Sequence, residues 1–159
     1  MEPIQFARPY CFAEEAKAAA AVVESGWLTG GPRLREFEQR MAETAGAKHA
    51  VGVSSWTTGG FLVLHALGVG PGDEVIVPSY TFIASVNVIL HAGATPVFAD
   101  IDPDTWNIDP ADVAAKITGR TKVIMPVDQI GLPCDMDAIN GLATGHGITV
   151  VDDAACALG

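Results

Sequence analysis

Short β-runs at 50–53, 74–77, 96–99, 122–125 and 149–151 alternate with stretches of helical periodicity, and this alternation limits the possible folds most severely. Most of the runs are rich in valine and isoleucine, with little of the polar alternation of a half-solvated strand, so they read as strands buried on both faces. Helical stretches lie between them at 58–67, 83–91, 110–116 and 136–145. Parallel neighbours need a crossover connection, and strand–helix–strand repetition supplies it. The expected fold is α/β, a mostly parallel sheet with helices on both faces, in one domain over residues 1–159. Two helices should precede it. One is alanine-rich, at 12–24, ending at Ser25-Gly26; the other opens after Pro32, with Leu34, Phe37, Met41 and Ala45 on one face and Gly46 closing it.

Composition narrows the function classes. Hydrophobic residues make up 49% of the chain and charged residues 18%, so much of the surface should be covered, in a core or by a partner. A net charge of −10 argues against a nucleic-acid backbone as partner. No apolar run approaches the roughly 20 residues that span a bilayer, and Met1-Glu2-Pro3-Ile4-Gln5 lacks the features of a secretory signal. Cys11, Cys134 and Cys156 are an odd number without close spacing, which argues against a disulfide framework or zinc site and fits a reducing, cytoplasmic compartment.

Open α/β sheets bind ligands outside the carboxyl ends of their strands. Those ends carry Ser54-Ser55-Trp56-Thr57-Thr58, Pro78-Ser79-Tyr80-Thr81-Phe82, Asp100-Ile101-Asp102, Asp128-Gln129-Ile130-Gly131 and Asp152-Asp153-Ala154-Ala155-Cys156. Hydroxyls and free amides at a helix start suit a phosphate, and the same residues equally serve as helix caps. Asp153, where a strand yields to a turn, is placed either to pair with a protonated ring nitrogen of a cofactor or to cap a helix. Phe82 and Tyr80 offer a flat face to a ring, or fill core. Other motifs fail. Gly68-Val69-Gly70-Pro71-Gly72 precedes a strand, so it is no dinucleotide loop. Asp100-Ile101-Asp102-Pro103-Asp104 opens like a calcium loop, but Thr105 and Ala111 stand where glycine and glutamate are needed. His49, His65, His91 and His146 have no ligand spacing, and no metal is expected.

Read in order, these segments resemble the DegT/DnrJ/EryC1/StrS family of pyridoxal-phosphate (PLP) sugar aminotransferases. Gly26-Trp27-Leu28-Thr29-Gly30-Gly31-Pro32 with Glu36-Phe37-Glu38 is similar to its N-terminal signature, and Val53-Ser54-Ser55-Trp56-Thr57 to its phosphate cup. Gly68 through Ser79 with Thr81-Phe82 resembles a characteristic stretch, as do His91-Ala92-Gly93-Ala94-Thr95-Pro96-Val97-Phe98 and Asp100-Ile101-Asp102-Pro103. Gly131-Leu132-Pro133-Cys134-Asp135-Met136-Asp137 and Asp153-Ala154-Ala155 complete a collinear match over essentially the whole chain.

The resemblance implies a fold-type I PLP enzyme, a homodimer with active sites at the subunit interface. It implies transfer of an amino group from glutamate or glutamine to a nucleotide-linked keto-sugar. By the same resemblance Ser55, Trp56 and Thr57 hold the cofactor phosphate, Phe82 stacks on the pyridine ring, and Asp153 pairs with its nitrogen. Trp56 stands where the common pattern has glycine, and Gly59-Gly60 where it has more helix-friendly residues. Cys156 falls where many members have a glutamine near the ring hydroxyl, as a weak hydrogen-bond partner or a small hydrophobe. Leu158 and Asp128 each replace a frequent histidine. The family's Schiff-base lysine lies downstream of Asp153-Ala154-Ala155, and Lys17, Lys48, Lys116 and Lys122 match none of its positions. The chain is therefore expected to be the front part of the PLP-binding domain, inactive alone. Two rival readings follow: a same-fold sugar dehydratase with histidine in place of that lysine, and an inactive fragment that only binds a partner chain.

Overall fold

A computed structural model describes residues 9–158, and the chain divides into two compact units between Gly52 and Val53. The first unit holds helices α1 (Ala13–Ser25) and α2 (Pro32–Thr44). Glu15 reaches back to accept the Phe12 amide at 2.7 Å, satisfying one of the donors a helix start leaves open. Gly26 ends α1 in the left-handed conformation (φ 73°). Pro32 opens α2, where its missing N–H costs nothing. The strand expected at 50–53 does not form. No described segment offers it a ladder, and the Gly52 amide goes instead to the Glu38 carboxylate at 2.8 Å.

The second unit carries the sheet. Its elements run α3 (Trp56–Ala66), β1 (Glu74–Pro78), α4 (Ile83–His91), β2 (Thr95–Ala99), α5 (Pro110–Lys116), β3 (Thr121–Ile124), a short 3-10 turn (Gln129–Gly131), α6 (Met136–His146) and β4 (Thr149–Val150). All pairings are parallel, in the order β2-β1-β3-β4. Side chains alternate across the central strands, so each strand feeds two cores. Val75, Val77, Val123 and Met125 pack with Leu64, Val88 and Ile89 of α3 and α4. Ile76 and Ile124 pack with Val113, Ile139 and Ala143 of α5 and α6. Both faces are covered, which is why β1 is buried along its whole length.

One end of the sheet is held by charge. Glu74, buried at the start of β1, accepts from Thr118 Oγ1 at 2.5 Å and from Arg120 Nε at 2.9 Å. Lys122 spans Gly68 O at 2.7 Å and Asp73 at 3.2 Å, closing the turn after α3. The Thr118 hydroxyl, then Arg120, hold the Glu74 carboxyl below its usual 4.5. Such a depressed carboxylate stabilises the fold above that value, and the contribution is lost as pH falls through the folded-state pKa. Arg120→Ala should therefore cost about 1–3 kcal/mol in urea unfolding at neutral pH. The difference from the parent should shrink as pH falls below the usual 4.5; a difference that stayed constant well below 4.5 would show that Glu74 does not carry it.

Candidate functional site

The order β2-β1-β3-β4 creates a crevice. After β1 the chain enters α4, on the face packed by Val88 and Ile89; after β3 it enters α6, on the opposite face packed by Ile139 and Ala143. Adjacent strands whose connections leave to opposite faces open a gap at their carboxyl ends, the usual ligand position in such sheets.

Asp153 is held in that gap. A parallel bridge between Val127 and Asp153 prolongs the β3–β4 pairing, with the Asp153 amide donating to Pro126 O at 2.9 Å and the Asp128 amide to Asp153 O at 3.1 Å. The residue is only 5% exposed. Ser85 Oγ, on α4, donates to Oδ2 at 2.9 Å, and the Ala155 amide donates to Oδ1 at 3.3 Å. Among the described residues no lysine, arginine or histidine forms an ion pair with it. Burial pushes this carboxyl up, the Ser85 and Ala155 hydrogen bonds pull it back, and the charge of Asp128 pushes it up again. Asp152 is pushed up to about 6, by partial burial and by Asp128 and Asp153, although its open side lets water temper the repulsion. The crevice therefore gathers negative charge, and no cation among the described residues pairs with it. Among the described residues no cluster is arranged to hold a metal ion.

Ser55 is the N-cap of α3, its hydroxyl accepting the Thr58 amide at 3.1 Å. The capping role weighed from the sequence is real, and it leaves the Trp56 and Thr57 amides without an acceptor among the described residues. Those are the donors a helix start offers to an anion. The helix begins at Trp56, two residues before its expected start, because the cap sits at Ser55. The Trp56 indole folds back along α3 over Gly60. A Cβ there would lie 3.1 Å from the ring. Gly60 thus accompanies Trp56 for a steric reason.

Phe82 is the N-cap residue of α4 and is 76% exposed, so it is no part of the core. Thr81 Oγ1 lies 2.8 Å from Ser85 Oγ, which ties the Phe82 turn to the Asp153 carboxylate. Cys156 is exposed and free, on the same turn as Asp153, and its thiol has no hydrogen bond among the described residues. Its carbonyl oxygen lies 2.9 Å from where a Cβ on Gly131 would stand, and Gly131 has φ 86°. Only glycine fits there. The Ser55–Thr57 turn and the Asp153 cluster share no direct hydrogen bond among the described residues. Tyr80, the other aromatic of that loop, meets Trp106 edge to face at 5.9 Å, away from the carboxylate's hydrogen bonds.

Sequence reasoning missed Ser85 and the buried Asn107. Asn107 donates to Leu132 O (2.9 Å) and Pro133 O (3.0 Å) and accepts the Gln129 amide (3.0 Å), pinning the loop after β3. A lone serine four residues after Thr81, within an apolar helix, was the available signal for Ser85.

The profile of the DegT/DnrJ/EryC1/StrS aminotransferase family matches residues 9–159. The spore coat polysaccharide biosynthesis protein SpsC of Bacillus subtilis is 49% identical over 155 residues, which are 98% of this chain and 40% of SpsC. Among solved structures, S. venezuelae DesV in complex with a ketimine intermediate superposes with a TM-score of 0.90 at 46% identity, covering 92% of this chain and 40% of DesV. The PLP form of Spr1654, a sugar aminotransferase by its description, from Streptococcus pneumoniae, gives 0.93 at 37% identity, over 98% and 44%. The chain thus spans less than half the length of these relatives. With a match across nearly all of its residues, the chain belongs to the DegT/DnrJ/EryC1/StrS aminotransferase family.

Proposed function

We propose that the protein to which this chain belongs is a PLP-dependent aminotransferase that moves an amino group from glutamate or glutamine to a nucleotide-linked keto-sugar. The carrying observation is Asp153: a buried carboxylate at the sheet's switch point, hydrogen-bonded by Ser85 and Ala155 yet lacking a cation among the described residues. A protonated pyridine nitrogen answers that charge. Bound there, pyridoxal phosphate supplies a pyridinium ring that draws electrons from the reacting carbon.

The chain's residues then divide the work. Asp153 keeps the proton on the ring nitrogen. The free amides of Trp56 and Thr57, with the Ser55 cap, receive the phosphate at the start of α3. Phe82 lays its exposed face against the ring. Cys156 borders the ring hydroxyl. Residues 1–159 are, in this reading, the N-terminal portion of the PLP-binding large domain, with the Schiff-base lysine supplied from outside them. Exposed Ile130 and Leu132 near the strand tips support a second subunit covering the site, as a homodimer. The sugar acceptor draws support from the description of Spr1654 and the naming of SpsC. No described helix is long and apolar enough to cross a membrane, and the free cysteines suit the cytoplasm.

Two variants test this reading. Because the Asp153 carboxyl is raised in the fold, its ionisation costs stability as pH climbs from the usual 3.8 through its folded-state value. Asp153→Asn should therefore melt higher than the parent without cofactor, by a margin that widens as pH rises from the usual 3.8 towards the raised folded-state value. The same variant should bind PLP roughly ten- to a hundredfold more weakly in equilibrium dialysis. Undiminished PLP affinity would sink the assignment. Gly131→Ala, whose methyl would collide with the Cys156 carbonyl, should displace the 154–157 turn and weaken PLP binding without abolishing the helical circular dichroism signal. Parental affinity in that variant would show that the turn does not border the cofactor.

A further inference from the structure

Ser85 is fully buried on α4, a mostly apolar helix whose neighbouring positions feed the core. Its hydroxyl donates to Asp153 Oδ2 at 2.9 Å across 68 residues of sequence, and lies 2.8 Å from Thr81 Oγ1. The direction of both bonds follows from counting protons. An ionised carboxylate only accepts, and a serine has one proton to give. That proton goes to Asp153, so Thr81 must donate to Ser85. The result is a polar chain, Thr81 to Ser85 to Asp153, each hydroxyl strengthening the next. Thr81 and Ser85 bracket Phe82, and the Ser85 amide also donates to Phe82 O at 3.1 Å.

We infer that Ser85 is a positioning residue: its hydroxyl aims the Asp153 carboxylate at the cofactor's ring nitrogen and holds the Phe82 turn in register with it. The inference rests on the reading of Asp153 given above. Charge around the carboxylate makes the relay matter. Burial and then the carboxylate of Asp128, from the loop after β3, oppose the ionised form, and Asp152 adjoins it in the chain. Ser85 and the Ala155 amide are the groups that favour it, and Ser85 makes the shorter bond. Losing the hydroxyl leaves Asp153 buried, more readily protonated, and free to turn away from the ring.

The full chain is compared as parent, Ser85→Ala, Ser85→Thr and Asp153→Asn, with PLP affinity measured by equilibrium dialysis across pH. Ser85→Ala should bind PLP about ten- to a hundredfold more weakly. The pH at which affinity falls on acidification should move upward, because protonation of Asp153 becomes easier. Ser85→Thr should recover most of the affinity and the parental pH midpoint. Should the extra methyl of threonine disturb the helix, Ser85→Cys serves instead: it keeps the volume but is a poor donor, so it should behave like alanine. Parental affinity and midpoint in Ser85→Ala, or in Ser85→Cys, would overturn the inference. Asp153→Asn separates the two claims. If it weakens PLP binding while Ser85→Ala does not, only the role of Ser85 falls; if it leaves binding intact, the reading of Asp153 fails first.

Discussion

A carboxylate kept from water, with no positive partner among the described residues, is the constraint around which this unit is arranged. Folding such a group is unfavourable, and the surrounding structure is organised to hold it in place. Parallel pairing carries Val127 and Asp153 side by side past the ends of their strands, and the diverging connections to α4 and α6 open the space in front of them. A hydroxyl and an amide steady the charge without neutralising it. What remains is an unmet electrostatic demand at the one point where a sheet of this topology is open.

The opposite end of the sheet follows another logic. Glu74 is equally buried, yet Arg120 and Thr118 answer it in full, and its carboxyl is driven down where that of Asp153 is driven up. The two residues share a charge and differ in their neighbours. Satisfied charge at the strand starts gives rigidity, and unsatisfied charge at the strand tips gives a place for chemistry. In this unit stability and binding lie at opposite ends of the same strands.

Much of this was legible in the residues. The apolar residues within the runs at 74–77 and 122–125 announced strands buried on both faces, and the helix at 83–91 fell where its periodicity placed it. The run at 50–53 misled, because an apolar stretch becomes a strand only where a ladder receives it, and a neighbour in space leaves no local trace. Asp153 and Phe82 stood out by following strands. Ser85 did not, since its importance comes from a contact across 68 residues. Gly131 likewise reads as an ordinary turn glycine until Cys156 is seen pressed against it.

The indole of Trp56 lying across Gly60 has a consequence for how such a helix start changes over time. With this ring at the first helical position, a methyl four residues on would sit 3.1 Å from it, so an alanine there needs the indole to give by a few tenths of an ångström. A small residue at the first position would lift that demand. The two positions are coupled, each setting what the other tolerates.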